Sequence, residues 1–382
     1  MSHLSARLAL LSGNFVTGLS VLAPAGMLPE LSAGLGVTVR DVGLLVTYGA
    51  VVLCFGSPVV SWLTTRVGRR LLMSGTLAVV AIAHALSSVA DSYAAILALR
   101  LVMLTLLAIY TPQAASTMAL IATEKERPSA IAFVFLGWSI AIAVGMPLIT
   151  TFATQFGWRE TYAAIGVAAA VSAAFNAASL PGKLLGHPLS LRSFVDIARK
   201  RTLMLILLIT LFQMSGQFSI TVYMAALVQK VAEGGPAAAG LLFSLLGGAG
   251  LIGNLAATRI VKSAGVHRTL GFFILLMIAG SLTFALGTGV LVLMAAGVLV
   301  MGLGITAANT MQQARLVVAA PLLASATVAL NTSVLYVGQA VGSGAAGFLY
   351  QHELYRMIGF LAVAFFVAAF AALVLTGDRR RD

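Results

Sequence analysis

Charge is scarce in this chain. Asp, Glu, Lys and Arg make up 9% of its 382 residues, against roughly 25% in an ordinary soluble domain. A water-borne globule could not cover the 60% of residues that are hydrophobic, so that class is excluded. Cysteine is nearly absent: Cys54 is the one thiol. A lone cysteine cannot form an intramolecular disulfide, this one lies inside an apolar stretch, and no Cys/His cluster offers a metal site. The eleven acidic residues all fall at the ends of apolar segments or between them. No G-x-x-x-x-G-K-S/T loop occurs, which argues against pumping driven by bound ATP. Neither paired carboxylates nor a Ser, His and Asp cluster points to an enzyme. No metal or cofactor is implied.

What the chain does have is long apolar runs. Twelve can be counted, at about 8–28, 42–63, 70–90, 94–121, 129–152, 160–180, 202–228, 238–261, 269–288, 290–314, 321–349 and 355–376. Segments of ~20 apolar residues cross the ~30 Å of bilayer hydrocarbon. Backbone groups in lipid must be satisfied internally, so the runs are helices; a barrel would need alternating polar residues. The expected class is an all-α integral membrane protein with the lipid bilayer as its main partner. A formal charge of +12 would suggest nucleic acid in a soluble protein. Here the basic residues sit between apolar segments as topological anchors, and no nucleic-acid partner is expected. Ala23-Pro24-Ala25 imitates a signal cleavage site, but Pro24 and the further apolar segments favour an uncleaved first helix.

Orientation follows from Lys and Arg. With the N-terminus inside, eighteen of the 23 basic residues fall on the cytoplasmic side. Arg40, Arg159, Lys230 and Arg356 fall outside, and Arg100 lies within a segment. Both termini are therefore expected in the cytoplasm of a bacterium, with the chain in its inner membrane. The stretch 181–201 is the longest polar connection and divides a six-helix half, 1–180, from a second, 202–382. A shift of 197 residues aligns Gly43-Leu44-Leu45 with Gly240-Leu241-Leu242, and Gly56, Gly68, Gly145 and Arg159 with Gly253, Gly265, Gly342 and Arg356. Two parallel repeats are an architecture of transporters whose solute site lies near the membrane midplane.

The loop after the second segment reads Ser61-Trp62-Leu63-Thr64-Thr65-Arg66-Val67-Gly68-Arg69-Arg70. Gly68 is expected to supply a positive φ for the turn, and Arg66 and Arg69 to bond the carbonyl ends of helices. In the fifth segment Gly137, Ala141 and Gly145 recur at four-residue spacing, a smooth stripe for a neighbouring helix. Pro147 follows and permits a kink. The loop resembles the signature of the major facilitator superfamily, G-x-L-A-D-R-x-G-R-R, with Ser61 and Thr65 in place of its first Gly and its Asp. The fifth segment, running into Phe156-Gly157-Trp158-Arg159, resembles the antiporter motif of efflux members. Pro24-Ala25-Gly26-Met27-Leu28-Pro29-Glu30, Leu44 to Tyr48 and Gln217-Phe218 are similar to the sugar, purine and drug efflux branch of the twelve-helix drug/proton antiporters.

That resemblance implies two pseudo-symmetric six-helix bundles, alternating access, a monomer, and export of a small solute, with protons as a possible exchange partner. It implies coupling and gating at Arg100, Arg66, Gly68, Arg69, Gly145 and Pro147. A charge buried in a membrane helix is expensive, which makes Arg100 a functional residue by default. Glu30 and Asp41 are the carboxylates placed to partner it; backbone carbonyls or water are the alternatives. His84 is a further titratable group. In this superfamily the first, fourth, seventh and tenth helices line the solute cavity, which singles out Asn14, Tyr110, Gln113, Gln213, Gln217 and Asn309. Buried amides cost free energy unless paired, so each faces either a cavity or another helix. Amides and phenols without buried charge suit a neutral or amphiphilic solute, drug-, sugar- or nucleoside-like. The other reading is an uncoupled facilitator or importer of the same fold; a non-transporting receptor would need a sensing domain that the sequence lacks.

Overall fold

The computed structural model of the chain describes residues 3–64, 67–123, 126–182, 184, 197, 199–320 and 324–376. No strand occurs among the described residues. Ten stretches of helix are long and apolar enough to cross a membrane. One of these, Pro236–Leu286, has 51 residues, which at ~1.5 Å per residue is more than two bilayer cores long. It breaks at Gly265, with φ 74° and ψ 165°, and so makes two crossings. Ala324–Gln351 adds another. The described residues thus form twelve crossings, and the chain is an all-α integral membrane protein.

In chain order the spans are His3–Gly26, Val39–Leu63, Arg69–Ser88, a fourth made of Tyr93–Leu107 and Tyr110–Ile121, a fifth from Arg127 to Phe156, and Trp158–Ser179. Arg201–Val231 is the seventh, 236–264 and 266–286 are the eighth and ninth, and Leu291–Ala319, Ala324–Gln351 and Tyr355–Leu375 complete the set. Local chemistry explains the boundaries. A short helix, Leu28–Leu35, ends on Gly36 in the left-handed region at φ 64°. Thr38 and Asp41 then exchange side chain-to-backbone bonds of 3.0 and 3.1 Å, a capping box that starts the second span. The fourth span is interrupted at Ala108 and Ile109, where Pro112 removes the N–H that would bond the Ala108 carbonyl. The fifth contains a π-helical turn, Ala141–Gly145, directly before Met146-Pro147; such turns recur at functional positions.

The chain keeps an apolar core, as at Leu10, Phe243 and Phe366, but it also exposes many large apolar side chains. Val292 and Leu375 are each 76% exposed, whereas Asn14, Ser20 and Gln312 are 0% exposed. Lipid meets the apolar side chains, and the polar ones turn inward.

The chain divides into two compact units, Met1–Leu189 and Ser190–Asp382. Within the first, the first span packs against the fifth and sixth and the third against the sixth; within the second, the seventh packs against the eleventh and twelfth. The 197-residue repeat is visible in these packings. A Cβ on Gly56 would stand 3.1 Å from the Thr105 carbonyl in the fourth span, and one on Gly253 would meet the Leu303 carbonyl in the tenth. Gly145 faces Leu19 in the first span, and Gly342 faces Ser215 in the seventh. Arg159 donates from Nη2 to the Ala90 carbonyl at 2.9 Å, and Arg356 donates to the Leu286 carbonyl at 3.5 Å. Each arginine ties the start of its half's last span to the end of the third.

One repeat pair diverges. Gly68 does not take the positive φ expected of it: its φ is −61° and its ψ 137°, backbone that any residue adopts. Its mate Gly265 carries the left-handed turn. Several residues separate the second and third spans, whereas Gly265 joins two helices by itself.

Candidate functional site

In the first half, Asn14 is held on every side by its own bundle. Its Nδ2 donates to the Val134 carbonyl at 3.0 Å, and its Oδ1 accepts from Thr111 Oγ1 at 2.9 Å. Thr111 Oγ1 in turn accepts from Trp138 Nε1 at 3.0 Å. Tyr110, 0% exposed, donates to Asn176 Oδ1 at 2.9 Å, and Asn176 Nδ2 bonds the Ala9 and Ser172 carbonyls at 2.8 Å. These groups bind the first, fourth, fifth and sixth spans together. Asn14 and Tyr110, which the sequence assigned to the cavity, thus have hydrogen-bond partners within their own bundle. Gln113 is half-buried with Oε1 unpartnered, and Thr117 Oγ1 is buried and unpartnered.

Arg100 is 4% exposed. Its Nε donates to the Leu45 carbonyl at 2.8 Å, Nη1 to the Ser20 carbonyl at 2.9 Å and Nη2 to the Val21 carbonyl at 2.6 Å. The cation is met by carbonyls of the first and second spans, and no ion pair to it occurs among the described residues. Beside it, His84 Nε2 lies 2.9 Å from Ser20 Oγ, and the His84 ring stacks on Tyr162 with centroids 5.5 Å apart.

The two carboxylates singled out for Arg100 are engaged elsewhere. Asp41 belongs to the capping box and also accepts from Thr38 Oγ1 at 2.6 Å. Glu30 accepts from Thr154 Oγ1 at 2.9 Å through Oε1, while its Oε2 is enclosed and unpartnered. Arg66 lies outside the described residues. Arg69 is buried, with Nη2 3.4 Å from Ser116 Oγ in the fourth span; its backbone N–H donates to the Leu184 carbonyl at 2.9 Å. The smooth stripe of the fifth span faces the first. A Cβ on Gly137 would stand 2.7 Å from Phe15 N, and one on Gly18 would stand 2.7 Å from the Ala141 Cβ. Gly145 closes the π-helical turn, and Pro147, with no N–H to offer, begins the helix after it.

The second half has an anchor like that of Asn14. Thr210 Oγ1 donates to Asn331 Oδ1 at 2.8 Å, and Gln312 Nε2 bonds the Ile206 carbonyl at 2.8 Å and Thr210 Oγ1 at 3.3 Å. Arg315 extends it from Nη1 to Gln312 Oε1 at 3.3 Å and from Nη2 to Thr376 Oγ1 at 2.8 Å. Beyond this anchor, toward the C-terminal end of the seventh span, the amides lose their partners. Gln213 is 1% exposed, and neither of its amide atoms is bonded among the described residues. Gln217 Oε1, Asn309 Oδ1 and Gln339 Nε2 are likewise enclosed and unbonded. The helical rise puts Gln213 and Asn309 about 4.5 Å, and Gln217 and Gln339 about 10–12 Å, past the anchor. Three helices thus bring four amides to neighbouring depths. Unmet polar groups in a bilayer interior mark a place where a ligand or water hydrogen-bonds.

The Major Facilitator Superfamily profile matches residues 10–343. The chain belongs to the Major Facilitator Superfamily. Its fold is that of a transporter, not an enzyme, and superfamily members bind a small-molecule substrate within the membrane. Similar solved structures include a bacterial homologue of the human lysosomal transporter Spinster. In its inward-facing, occupied conformation the TM-score is 0.77 at 15% identity, covering 97% of this chain and 96% of that one. In its inward-facing, unoccupied conformation the TM-score is 0.74 at 16% identity, covering 98% of each. At such identity the likeness speaks for the fold alone.

Several residues of these networks carry no sequence signal of their own. Thr111, Asn176, Thr210 and Ser20 are ordinary helix residues until their partners arrive. In the tenth span Gln312 turns inward, at 0% exposure, while its neighbour Gln313 is only half-buried. Adjacent helix positions differ by ~100°, so a reading off by one selects the wrong face.

Proposed function

We propose that this superfamily member exports a small neutral or amphiphilic solute, drug-, sugar- or nucleoside-like, from a bacterial cell by alternating access. Gln213 carries the reading: a wholly enclosed amide with both its donor and its acceptor unmet. With Gln217, Asn309 and Gln339 it offers donors and acceptors but no charge, which selects a solute that itself both donates and accepts. The protein acts as a monomer in the inner membrane with both termini cytoplasmic, a placement supported by the eighteen-to-four distribution of basic residues. The test is thermal stabilisation of the purified protein by a panel of sugars, nucleosides and lipophilic heterocycles. A hit should lose its stabilising effect in Gln213→Leu, which still folds. Retention of the effect would refute the assignment.

Proton exchange is a second reading, favoured by Glu30, whose Oε2 is enclosed and unpartnered. A carboxylate that trades partners between states changes its proton affinity. The carbonyl partners of Arg100 favour the uncoupled facilitator instead. Flux in liposomes under an imposed pH gradient separates the two: an antiporter responds, and Glu30→Gln removes the response while exchange of labelled solute survives.

A further inference from the structure

A proline inside a helix removes the donor for the carbonyl four residues earlier and leaves it unmet. Pro24 lies inside His3–Gly26, so the orphaned carbonyl is that of Ser20. In lipid such a group must find another donor. The donor is on the page: Arg100 Nη1 sits 2.9 Å from Ser20 O, and Nη2 bonds the next carbonyl, Val21 O, at 2.6 Å. The geometry points to Arg100 as the positioning residue of the first span at Pro24, its guanidinium standing in for the N–H that Pro24 lacks.

Two neighbours complete the device. The second span comes close enough for Leu45 O to take the Nε proton at 2.8 Å. Gly49 allows this approach: a Cβ there would stand 2.6 Å from Leu104 Cδ1 and 3.5 Å from Arg100 Nε. The Ser20 hydroxyl meets His84 Nε2 at 2.9 Å, which brings the third span to the same turn of the first. Pro24, Gly49 and Arg100 thus act as one unit. A buried cation without an acid is intelligible because its charge is spread over three carbonyl dipoles, one of them free for it by virtue of a proline. The first span then presents residues 11–19 to the smooth stripe of the fifth at a fixed angle. Arg100 on this account positions a helix and passes no proton, so the inference stands whether or not the carrier is coupled.

Rescue tests it. Hydrogen exchange of the purified full chain is followed in the peptide covering residues 16–28, with folded yield from size exclusion as the second measure. Arg100→Leu should speed exchange there about ten-fold or more, the worth of one charge-assisted hydrogen bond, and lower the folded yield. Adding Pro24→Ala restores a backbone donor to Ser20 O, so Pro24→Ala/Arg100→Leu should regain most of the protection and yield. Arg100→Lys, with its donors on a single centre, should fall between, and Pro24→Ala should improve it too. If Arg100→Leu fails to fold, recovery of yield in the double variant reads the same point. Additive losses, or no rescue in either background, overturn the proposal and leave Arg100 an anchor unrelated to Pro24.

Discussion

Gly145 and Gly342 occupy equivalent positions in the two halves, yet the structure assigns their alanine variants different outcomes. A Cβ on Gly145 would meet Leu19 Cδ2, with Phe15 Cε2 at 3.3 Å and Leu19 Cγ at 3.4 Å. All are side-chain atoms, and displacing a leucine from its rotamer costs about 0.5–1.5 kcal/mol. Replacing glycine by alanine in a helix returns about 0.5–1 kcal/mol, so Gly145→Ala should be nearly neutral. At Gly342 the same Cβ would run into the Ser215 carbonyl oxygen, with its C and Cα both at 2.8 Å. Backbone cannot rotate away, so the seventh and eleventh spans must separate. Overpacking of that kind costs about 1–3 kcal/mol, and separation also strains the 3.3 Å bond from Ser219 Oγ to Gly342 O. Net destabilisation of up to about 2.5 kcal/mol is expected after the helix gain. Equilibrium denaturation in mixed micelles, run on both variants beside the wild type, measures the difference. Equal losses, or a larger loss at Gly145, would refute the reasoning.

Further outcomes follow from other residues. Gln217→Ala should weaken solute binding in protein that folds normally, read by thermal shift; a loss of yield with unchanged affinity would make it packing. Asn14→Ala should do the reverse, costing about 1–2 kcal/mol for two membrane hydrogen bonds with no loss of affinity per folded molecule. Gly145→Leu should block flux, because a leucine cannot fit between the first and fifth spans; unchanged flux would free the π-helical turn from any part in transport. Cysteines introduced within 181–201 and at Gly235 should label from opposite faces of the membrane, and same-side labelling would sink the topology.

Much of the architecture was legible in the sequence because membrane insertion writes itself as length and apolarity. The repeat was legible because close helix crossings need glycine at fixed spacing, as at Gly56 and Gly253. What a polar residue faces was not. Asn14 and Gln213 look alike as lone amides in apolar helices, but Val134 and Thr111 meet the first and none of the described residues hydrogen-bonds the second. That difference depends on residues about a hundred positions away. Gly68 shows the same limit at short range, since a turn glycine and an indifferent one are written with the same letter. The significance of Pro24 for Arg100 was likewise hidden, as the two stand 76 positions apart and meet only when the spans pack.

The bonds that hold the first span have a consequence for biogenesis. Ser12 reaches Ser172, Asn14 reaches Thr111 and Val134, the Ala9 carbonyl accepts from Asn176, and the Ser20 carbonyl accepts from Arg100. Every one of these partners is synthesised later, and the last belongs to the sixth span. At ribosomal rates of about 5–20 residues per second, some 6–24 s separate Asn14 from Val134. For that interval the earliest helix carries an Asn14 amide that the bilayer cannot satisfy. Nascent chains must therefore keep it beside water or an insertion factor until Thr111 and Val134 arrive. A lesion at Thr111 would accordingly show itself as poor insertion of a helix completed long before it.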